Sequence, residues 1–250
     1  MRSLLLALSF VALSLLTMAL AVAGARSGWW DVREGVGLLR WGTYGAVVGA
    51  LWTVLAAAGV WWPASRRRRP QPPPRRGAVL VALVVALVAV RVAVIPWQWQ
   101  RRASLTPAIH DVSTDLADPP QFVAVLPRRG PAANPPDYGG PEVAYLQRSA
   151  YADIAPLTLL LPPAAAFDRA LTVARAMGWE IVAADRATGR IEATDRTPWF
   201  RLPEDVVVRV RPSGTGARVD VRSQSRFGLR DAATNAERVR EYLARVKAAR

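Results

Sequence analysis

The chain has 250 residues, no cysteine and a formal net charge of +14. The lack of thiols excludes a disulfide framework and a thiolate metal site. The charge alone would indicate a polyanion partner, but residues 1–102 carry 13 arginines against 2 acidic residues, which leaves only +3 for residues 103–250. Most of the excess therefore lies among apolar stretches, and we expect no nucleic-acid partner.

Three apolar segments dominate the first part of the chain. They lie at residues 4–23, 42–62 and 77–97. At about 1.5 Å of rise per residue, each is long enough for a helix that crosses a hydrocarbon core of about 30 Å. The sequence therefore predicts a transmembrane region with three helices over residues 1–97.

The first apolar segment has a second interpretation. Arg2, an apolar core and the small residues at 21–25 are also typical of a cleavable signal sequence. Because its apolar core is long for a signal sequence, we favour an uncleaved anchor. Either interpretation leaves the rest of the topology unchanged.

Six arginines occupy the short loop at residues 64–76. They are Arg66, Arg67, Arg68, Arg69, Arg75 and Arg76. Arginines that flank a short loop resist translocation, so this loop is predicted to be cytoplasmic. The third helix then runs outward. This topology predicts a multi-pass protein of the bacterial inner (cell) membrane, with the C-terminal domain extracytoplasmic, on the periplasmic side.

Residues 98–155 are rich in proline and lack periodicity. Paired prolines and the break at Gly139-Gly140-Pro141 predict that neither a helix nor a central strand runs through this segment. A simple linker is one interpretation. The other is an extended segment that wraps along the folded core, which we favour because apolar residues such as Phe122 and Val125 lie within it.

From residue 156 to residue 250 the pattern predicts an α+β domain. A short strand opens at Leu157, and a helical spacing then continues until Gly178. Alternating runs follow at 179–183, 191–193, 206–210 and 219–221, before a last helix from about Asp231. The order strand, helix, four antiparallel strands, helix predicts a sheet with both helices on one face.

The second face of the predicted sheet carries charged side chains. Its acidic residues are Glu180, Glu192 and Asp220, and its arginines are Arg190 and the group of Arg209, Arg211, Arg218 and Arg222. One interpretation is a solvated face of mixed charge. The other is a cationic platform for an anionic headgroup or an envelope polymer. We favour the solvated face because the cationic excess is small.

The only histidine lies in an acidic stretch. His110, Asp111 and Asp115 could bind a cation or move a proton. The spacing is not that of a calcium loop, since Phe122 stands where that loop needs a bidentate glutamate, and no second histidine supports zinc. We predict no metal and no cofactor, and favour a structural role in which these side chains stabilise turns. An enzyme that acts on an envelope substrate at this site is the alternative.

A second polar set comprises Arg226, Asp231, Asn235 and Arg238. The spacing places the last three along one side of the final helix. We expect this side to dock the His110-Asp111 segment. A buried hydrogen-bonded latch is the favoured form, and a small pocket for an anionic ligand is the alternative.

An apolar contact tip is predicted in the long connection between two strands. Trp199 and Phe200 lie there and would meet a lipid or a partner protein.

Three stretches resemble the domain-of-unknown-function family numbered 1499. They are Ile109 to Asp115 with Asp118-Pro119-Pro120 and Phe122; Thr197-Pro198-Trp199-Phe200 with Glu204 to Val210; and Ser223 to Gly228 with Asp231, Asn235 and Arg238. The resemblance covers about residues 105–248 and departs from the family pattern at Ala233, where glycine is expected. It implies a fold unit and no established activity. Members often look like bacterial membrane or exported proteins, which agrees with the predicted topology.

These features predict a membrane-anchored envelope protein whose outward domain has a binding or structural role. Whether the chain is an enzyme stays open, with a preference for a non-catalytic role. The expected partners are the lipid bilayer and, at the domain surface, an anionic lipid, an envelope polymer or another membrane protein.

Overall fold

The computed structural model describes residues 2–57, 76–228, 230 and 233–249. The chain divides into two compact units, residues 1–101 and residues 102–250. The predicted loop at 64–76 therefore lies outside the described residues except for Arg76, as does Asp231.

The first unit is helical. Its helices are α1 (Arg2–Arg26), α2 (Val32–Ala57) and α3 (Arg76–Leu105), the last of which ends in the second unit. Among the described residues, α1 and α3 are long and apolar enough to cross a membrane, judged by length and composition. These two helices indicate membrane association.

The expectation of three membrane spans is corrected to two candidates. The helix that does not qualify is α2, which overlaps the predicted span at 42–62. Polar and small side chains reduce its hydropathy, with Arg33, Glu34 and Arg40 near its start and three glycines and two threonines from Gly42 onward. Residues 58–62 of the predicted span lie outside the described part of the chain.

Glycines of α2 allow it to pack closely on α1. A Cβ atom at Gly42 would lie 2.6 Å from Met18 Cγ, and one at Gly49 would lie 2.7 Å from Val11 Cγ2. Larger side chains at these positions would therefore push the two helices apart. Small residues allow the same close approach between helices in membranes.

The second unit is an α+β domain built on a six-stranded antiparallel sheet. The strands are β1 (Asp111–Ser113), β2 (Leu157–Leu159), β3 (Glu180–Asp185), β4 (Arg190–Arg196), β5 (Pro203–Ser213) and β6 (Gly216–Ser225). Their order is β1-β6-β5-β4-β3, and β2 also pairs with β6. The predicted α+β class with an antiparallel sheet is confirmed, and β1 is an additional strand.

Among the described residues, three α-helices belong wholly to this unit: α4 (Gly140–Ala150), α5 (Pro163–Ala176) and α6 (Thr234–Ala248). The prediction that no helix runs through residues 98–155 is wrong for α4 and for the end of α3. Pro141 lies in the first turn of α4, where its missing N–H is tolerated, and Gly140 has a φ of +70°. The Gly-Gly-Pro break thus starts a helix.

One face of the sheet forms the main apolar core under α5 and α6. The buried residues Val206, Val208, Val219 and Val221 alternate along β5 and β6 in this core. Trp179 stacks on Tyr242 of α6 with ring centroids 4.8 Å apart, and the Tyr242 hydroxyl donates to Ala170 O of α5 at 2.8 Å. The period-two pattern of the strands therefore positions both helices.

The second face is covered by residues 114–138. Phe122 and Val125 pack on Val207 there, and the polar side chains of Glu192 and Arg222 are fully buried. The expectation of a solvated face is wrong at these positions, because the proline-rich segment crosses the face and excludes water from it.

Candidate functional site: a buried polar layer

Arg222 is the centre of a polar layer, which we define as the ion pairs and hydrogen bonds between the second sheet face and residues 111–138. Its side chain is fully buried, and that of Asp111 is only 3% exposed. Arg222 Nε donates to Asp111 Oδ1 at 2.9 Å, and Nη2 donates to Oδ2 at 2.7 Å. The two side chains therefore form a bidentate ion pair, the strong geometry for a guanidinium and a carboxylate.

Backbone carbonyls of two prolines accept further hydrogen bonds from Arg222. Nη1 donates to Pro120 O at 3.2 Å, and Nη2 also donates to Pro136 O at 2.7 Å. Gln224, two residues along β6, donates to Pro135 O at 3.0 Å. A buried guanidinium is costly unless its N–H groups are paired, so these carbonyls make the burial possible.

Two aromatic rings enclose the same guanidinium. Arg222 Cζ lies 4.8 Å from the centroid of the Phe122 ring and 5.6 Å from that of Tyr138. Both contacts are attractive because the ring faces carry partial negative charge. The Tyr138 hydroxyl is buried without a hydrogen-bond partner among the described residues, and burial raises the pKa of Tyr138.

Arg226 and Arg129 share the buried carboxylate of Asp205. Arg226 donates from Nε at 2.9 Å and from Nη2 at 2.7 Å, and Arg129 Nη1 donates at 2.7 Å. Burial lowers the pKa of Arg129, and the charges of Arg226 and Arg222 add to this effect against the opposing attraction of Asp205. Arg226 thus belongs to the layer, but its carboxylate partner is Asp205 and not Asp111.

Glu192 connects β4 to the covering segment. Its Oε2 accepts hydrogen bonds from the backbone N–H groups of Val123 at 2.9 Å and Val125 at 3.0 Å. Its Oε1 lies 3.0 Å from Arg190 Nε. A carboxylate at this position therefore takes the place of a neighbouring strand for residues 123–125.

Three aspartates and three arginines alternate at the more exposed edge of the layer. They are Asp115, Asp118 and Asp220 with Arg209, Arg211 and Arg218. The arginines of the predicted cationic platform therefore have carboxylate partners. Within the described ranges, no group of three histidine or acidic side chains is placed to hold a metal ion.

Asp115 stabilises a turn in the covering segment. Its Oδ1 accepts from the backbone N–H groups of Ala117 at 3.1 Å and Asp118 at 3.0 Å, and its Oδ2 accepts from Arg218 at 2.7 Å. Burial raises the pKa of Asp115, but the two N–H groups and the charges of Arg218 and Arg209 outweigh it and lower the pKa. This is the turn chemistry expected of aspartate.

His110 meets the domain through its backbone. Its carbonyl accepts from Ser225 N at 2.8 Å and from Asn235 Nδ2 at 3.1 Å. Burial lowers the pKa of the half-buried His110 ring; Asp111 opposes this effect, and Arg129 and Arg222 reinforce it. The ring is therefore neutral at pH 7.

The polar side of α6 docks mainly on strand ends. Arg238 Nε donates to Asp195 Oδ2 at 2.7 Å, and Arg238 Nη2 donates to Glu204 Oε2. Asn235 Oδ1 accepts from Ser223 Oγ at 2.6 Å. Of the predicted latch residues that the structure describes, Asn235 alone has a recorded hydrogen bond to the His110-Asp111 segment, at the His110 carbonyl.

The predicted contact tip lies in the turn between β4 and β5. Thr197 Oγ1 accepts from Leu202 N at 2.9 Å, which closes the turn. The Trp199 side chain at its tip is 50% exposed, while Phe200 is partly buried.

Sequence reasoning named many side chains of the polar layer but missed their burial and their partners. Arg222 and Glu192 were placed on a solvated face. Asp205 and Gln224 lie within the family-like stretches at 204–210 and 223–228, so that resemblance could have indicated them. Arg129 has no sequence signal, because its partner is 76 residues away.

The fold and the site define a class of protein. Its members combine apolar helices that indicate membrane association with an α+β domain in which buried ion pairs join the sheet to an irregular segment. Residues 111–246 match the family described as protein of unknown function, DUF1499. The match covers more than half of the chain, and the chain belongs to this family. The resemblance found in the sequence is thereby confirmed. Comparison with curated proteins gives no match.

Proposed function

We propose that this chain is a protein of the bacterial inner membrane whose α+β domain lies on the extracytoplasmic side and has a non-catalytic, binding or structural role. The side follows from two features of the chain. The loop at 64–76 carries six arginines, which favours a cytoplasmic position. Because α3 follows that loop and precedes the domain in the chain, the domain lies on the opposite side from the loop whether or not α2 crosses the membrane.

The main support for a non-catalytic role is that both carboxylate oxygens of Asp111 already accept hydrogen bonds from buried side chains. Its two oxygens accept from Nε and Nη2 of Arg222 and from Gln224 Nε2. A catalytic acid or base needs to reach the reacting group of a substrate. Asp111 instead faces the protein interior, where its charge neutralises Arg222. Asp115, the other acid of the alternative enzyme site, is bound to a turn and to Arg218.

Replacement of Asp111 by asparagine tests this role. Asp111→Asn keeps the shape of the side chain but leaves the buried Arg222 without its counter-ion, so we expect a loss of about 3 kcal/mol in the free energy of unfolding. The measurement is thermal unfolding of the full chain in detergent. The matched control is Asp168→Asn, which removes an exposed ion pair with Arg186 and should cost less than about 1 kcal/mol.

An unchanged or raised unfolding midpoint for Asp111→Asn would contradict the structural role, because active-site charges are commonly held at a cost in stability. The side of the membrane has a separate test. A reporter fused after Arg250 should be active only outside the cytoplasm, and activity in the cytosol would overturn the proposed topology.

A further inference from the structure

Two connections project from the same end of the sheet. Where β4 ends and β5 begins, Arg196 pairs with Pro203, and where β6 ends, Ser225 pairs with Glu204. Arg226 N lies 3.4 Å from Pro203 O, which brings the two connections together. The turn at 197–202 and the residues after Ser225 therefore share one end of the domain.

The chain that follows α3 reaches this same end. Asp111 of β1 pairs with Gln224, close to the end of β6. Before it, Thr106 O accepts from Arg230, and Arg102 Nη1 lies 3.6 Å from Glu237 Oε1 in the first turn of α6. Residues 102–110 thus join the domain at the end that carries Trp199.

Large apolar side chains and arginines are exposed there. Trp199 is 50% exposed, Phe227 40% and Leu105 76%. Arg201 lies in the same turn as Trp199, Arg230 follows Phe227 by three residues, and both are exposed. We name these five residues the Trp199 end. A tryptophan with neighbouring apolar and cationic side chains is the composition that proteins use in the headgroup region of a bilayer.

We propose that the Trp199 end docks on the headgroup layer of the bilayer that α3 enters, with the arginines favouring anionic lipids. The chain itself indicates that a bilayer lies next to this end. Helix α3 is a candidate membrane helix whose last turn, Arg102–Leu105, belongs to the α+β unit. With Trp97 at the edge of the hydrocarbon core, Leu105 lies about 12 Å farther along the helix, a few ångströms beyond a headgroup layer of about 5–8 Å. Lipid headgroups are therefore within reach of this end.

The inference rests on the membrane attachment within the proposed function, but not on which side of the membrane the domain lies. The chain has no cysteine, so a single introduced cysteine can carry a unique spin label. Phe227→Cys reports on the Trp199 end. Leu160→Cys is the matched control, because Leu160 is 87% exposed and follows β2 at the opposite end of the sheet, where Leu159 pairs with Ala217.

The full chain with each label is reconstituted into vesicles of phosphatidylcholine with phosphatidylglycerol. We expect the label at position 227 to lose its collisions with a water-soluble nickel chelate and to keep those with oxygen, whereas the label at 160 keeps both. Trp199→Ser in the Phe227→Cys background should restore collisions with the chelate. Arg201→Gln in that background should partly restore them, and only in vesicles that contain the anionic lipid.

Equal chelate accessibility at positions 227 and 160 would overturn the proposal. So would protection at 227 that is found in native membranes but not in pure lipid vesicles, because that result would assign the Trp199 end to a protein partner. An unchanged label in the Arg201→Gln variant would overturn the role of anionic lipid. None of these results depends on the reporter fusion, so a failure here is distinct from a failure of the proposed topology.

Discussion

The two faces of the sheet are both buried, but by opposite means. Valines under α5 and α6 bury one face, where the interaction is non-directional and depends on area removed from water. The other face is buried by ion pairs and hydrogen bonds with residues 111–138, such as the pair of Arg222 and Asp111. A regular helix covers an apolar face readily, whereas an irregular segment covers a charged face only if each buried charge finds its partner.

The difference implies different failures for the two faces. An apolar residue that is shortened leaves a cavity and weakens the whole domain. Neutralising a charged side chain on the other face should loosen only the part of residues 114–138 that it binds, because its hydrogen bonds are to particular backbone groups. Neighbouring residues of one strand make this comparison possible, since successive side chains point to opposite faces.

Ile191 and Glu192 of β4 provide the largest expected effect. Ile191→Ala should cost about 3 kcal/mol in the free energy of unfolding, because it leaves a cavity in the apolar core. Glu192→Gln should cost less, about 1–2 kcal/mol, because an amide oxygen still accepts a hydrogen bond but lacks the charge. Thermal unfolding of the full chain in detergent measures both losses.

Hydrogen exchange separates the two mechanisms. Glu192→Gln should speed exchange of the Val123 and Val125 amides, which donate to this carboxylate, more than that of the strand amides. Ile191→Ala should instead raise exchange throughout the sheet in proportion to its lower global stability. If Glu192→Gln left the two amides as protected as before, the distinction between the faces would be wrong.

The same distinction explains what could be predicted from the sequence. The alternation of Val206, Val208 and Val210 is a local pattern, and it predicted the strand, its buried face and the helices above it. The partner of Arg222 lies 111 residues earlier in the chain, so no local pattern connects them. An arginine with a buried partner and an arginine in water look alike in sequence, and the buried face was therefore taken for a solvated one.

Helix α4 and its contact with β1 were missed for a related reason. Gln147 of α4 accepts from Ser113 N at 2.9 Å and donates to Ser113 O at 2.6 Å, so its amide replaces a neighbouring strand. Prolines before α4 predicted an irregular segment, and β1 is only three residues long. Both elements depend on contacts between residues that are distant in the chain, such as Gln147 and Ser113. Local secondary-structure propensities do not reveal such contacts.

Ala233 tests how much backbone strain costs on the face of the sheet that the helices cover. This residue precedes α6 with a φ of 69°, a left-handed conformation that disfavours a side chain. Its position is where the family pattern expects glycine. Ala233→Gly should therefore raise the free energy of unfolding by about 0.5–1 kcal/mol, the relief of strain less the greater freedom of glycine in the unfolded chain. The thermal midpoint of the full chain measures it.

The control applies the same substitution inside the helix. Ala244 is exposed in the middle of α6, so Ala244→Gly should lower stability by about 1 kcal/mol. Opposite signs for the two variants would locate the strain at the start of the helix. A loss of stability in both would mean that residue 233 is not strained and that α6 depends on its packing alone.

His110 gives the smallest expected effect, and this effect depends on pH. Burial lowers the pKa of His110 below its ordinary value of 6.5, against Asp111 and together with Arg129 and Arg222. Just below pH 6.5, the His110 ring is therefore protonated in the unfolded chain but still neutral in the folded chain. The stability contributed by the neutral ring is therefore complete above pH 6.5 and declines as the pH falls toward the lower folded value.

Because His110 is the only histidine, His110→Asn should remove the dependence of the unfolding midpoint on pH just below 6.5. Ile191→Ala, on the apolar face, should lower the midpoint and leave that dependence intact. Asp115 also has a lowered pKa, but its stabilisation is lost only as the pH falls below its ordinary 3.8, which keeps the two windows apart. A midpoint that rose as the pH fell, or a dependence that survived in His110→Asn, would show that burial in the folded chain does not hold the ring neutral.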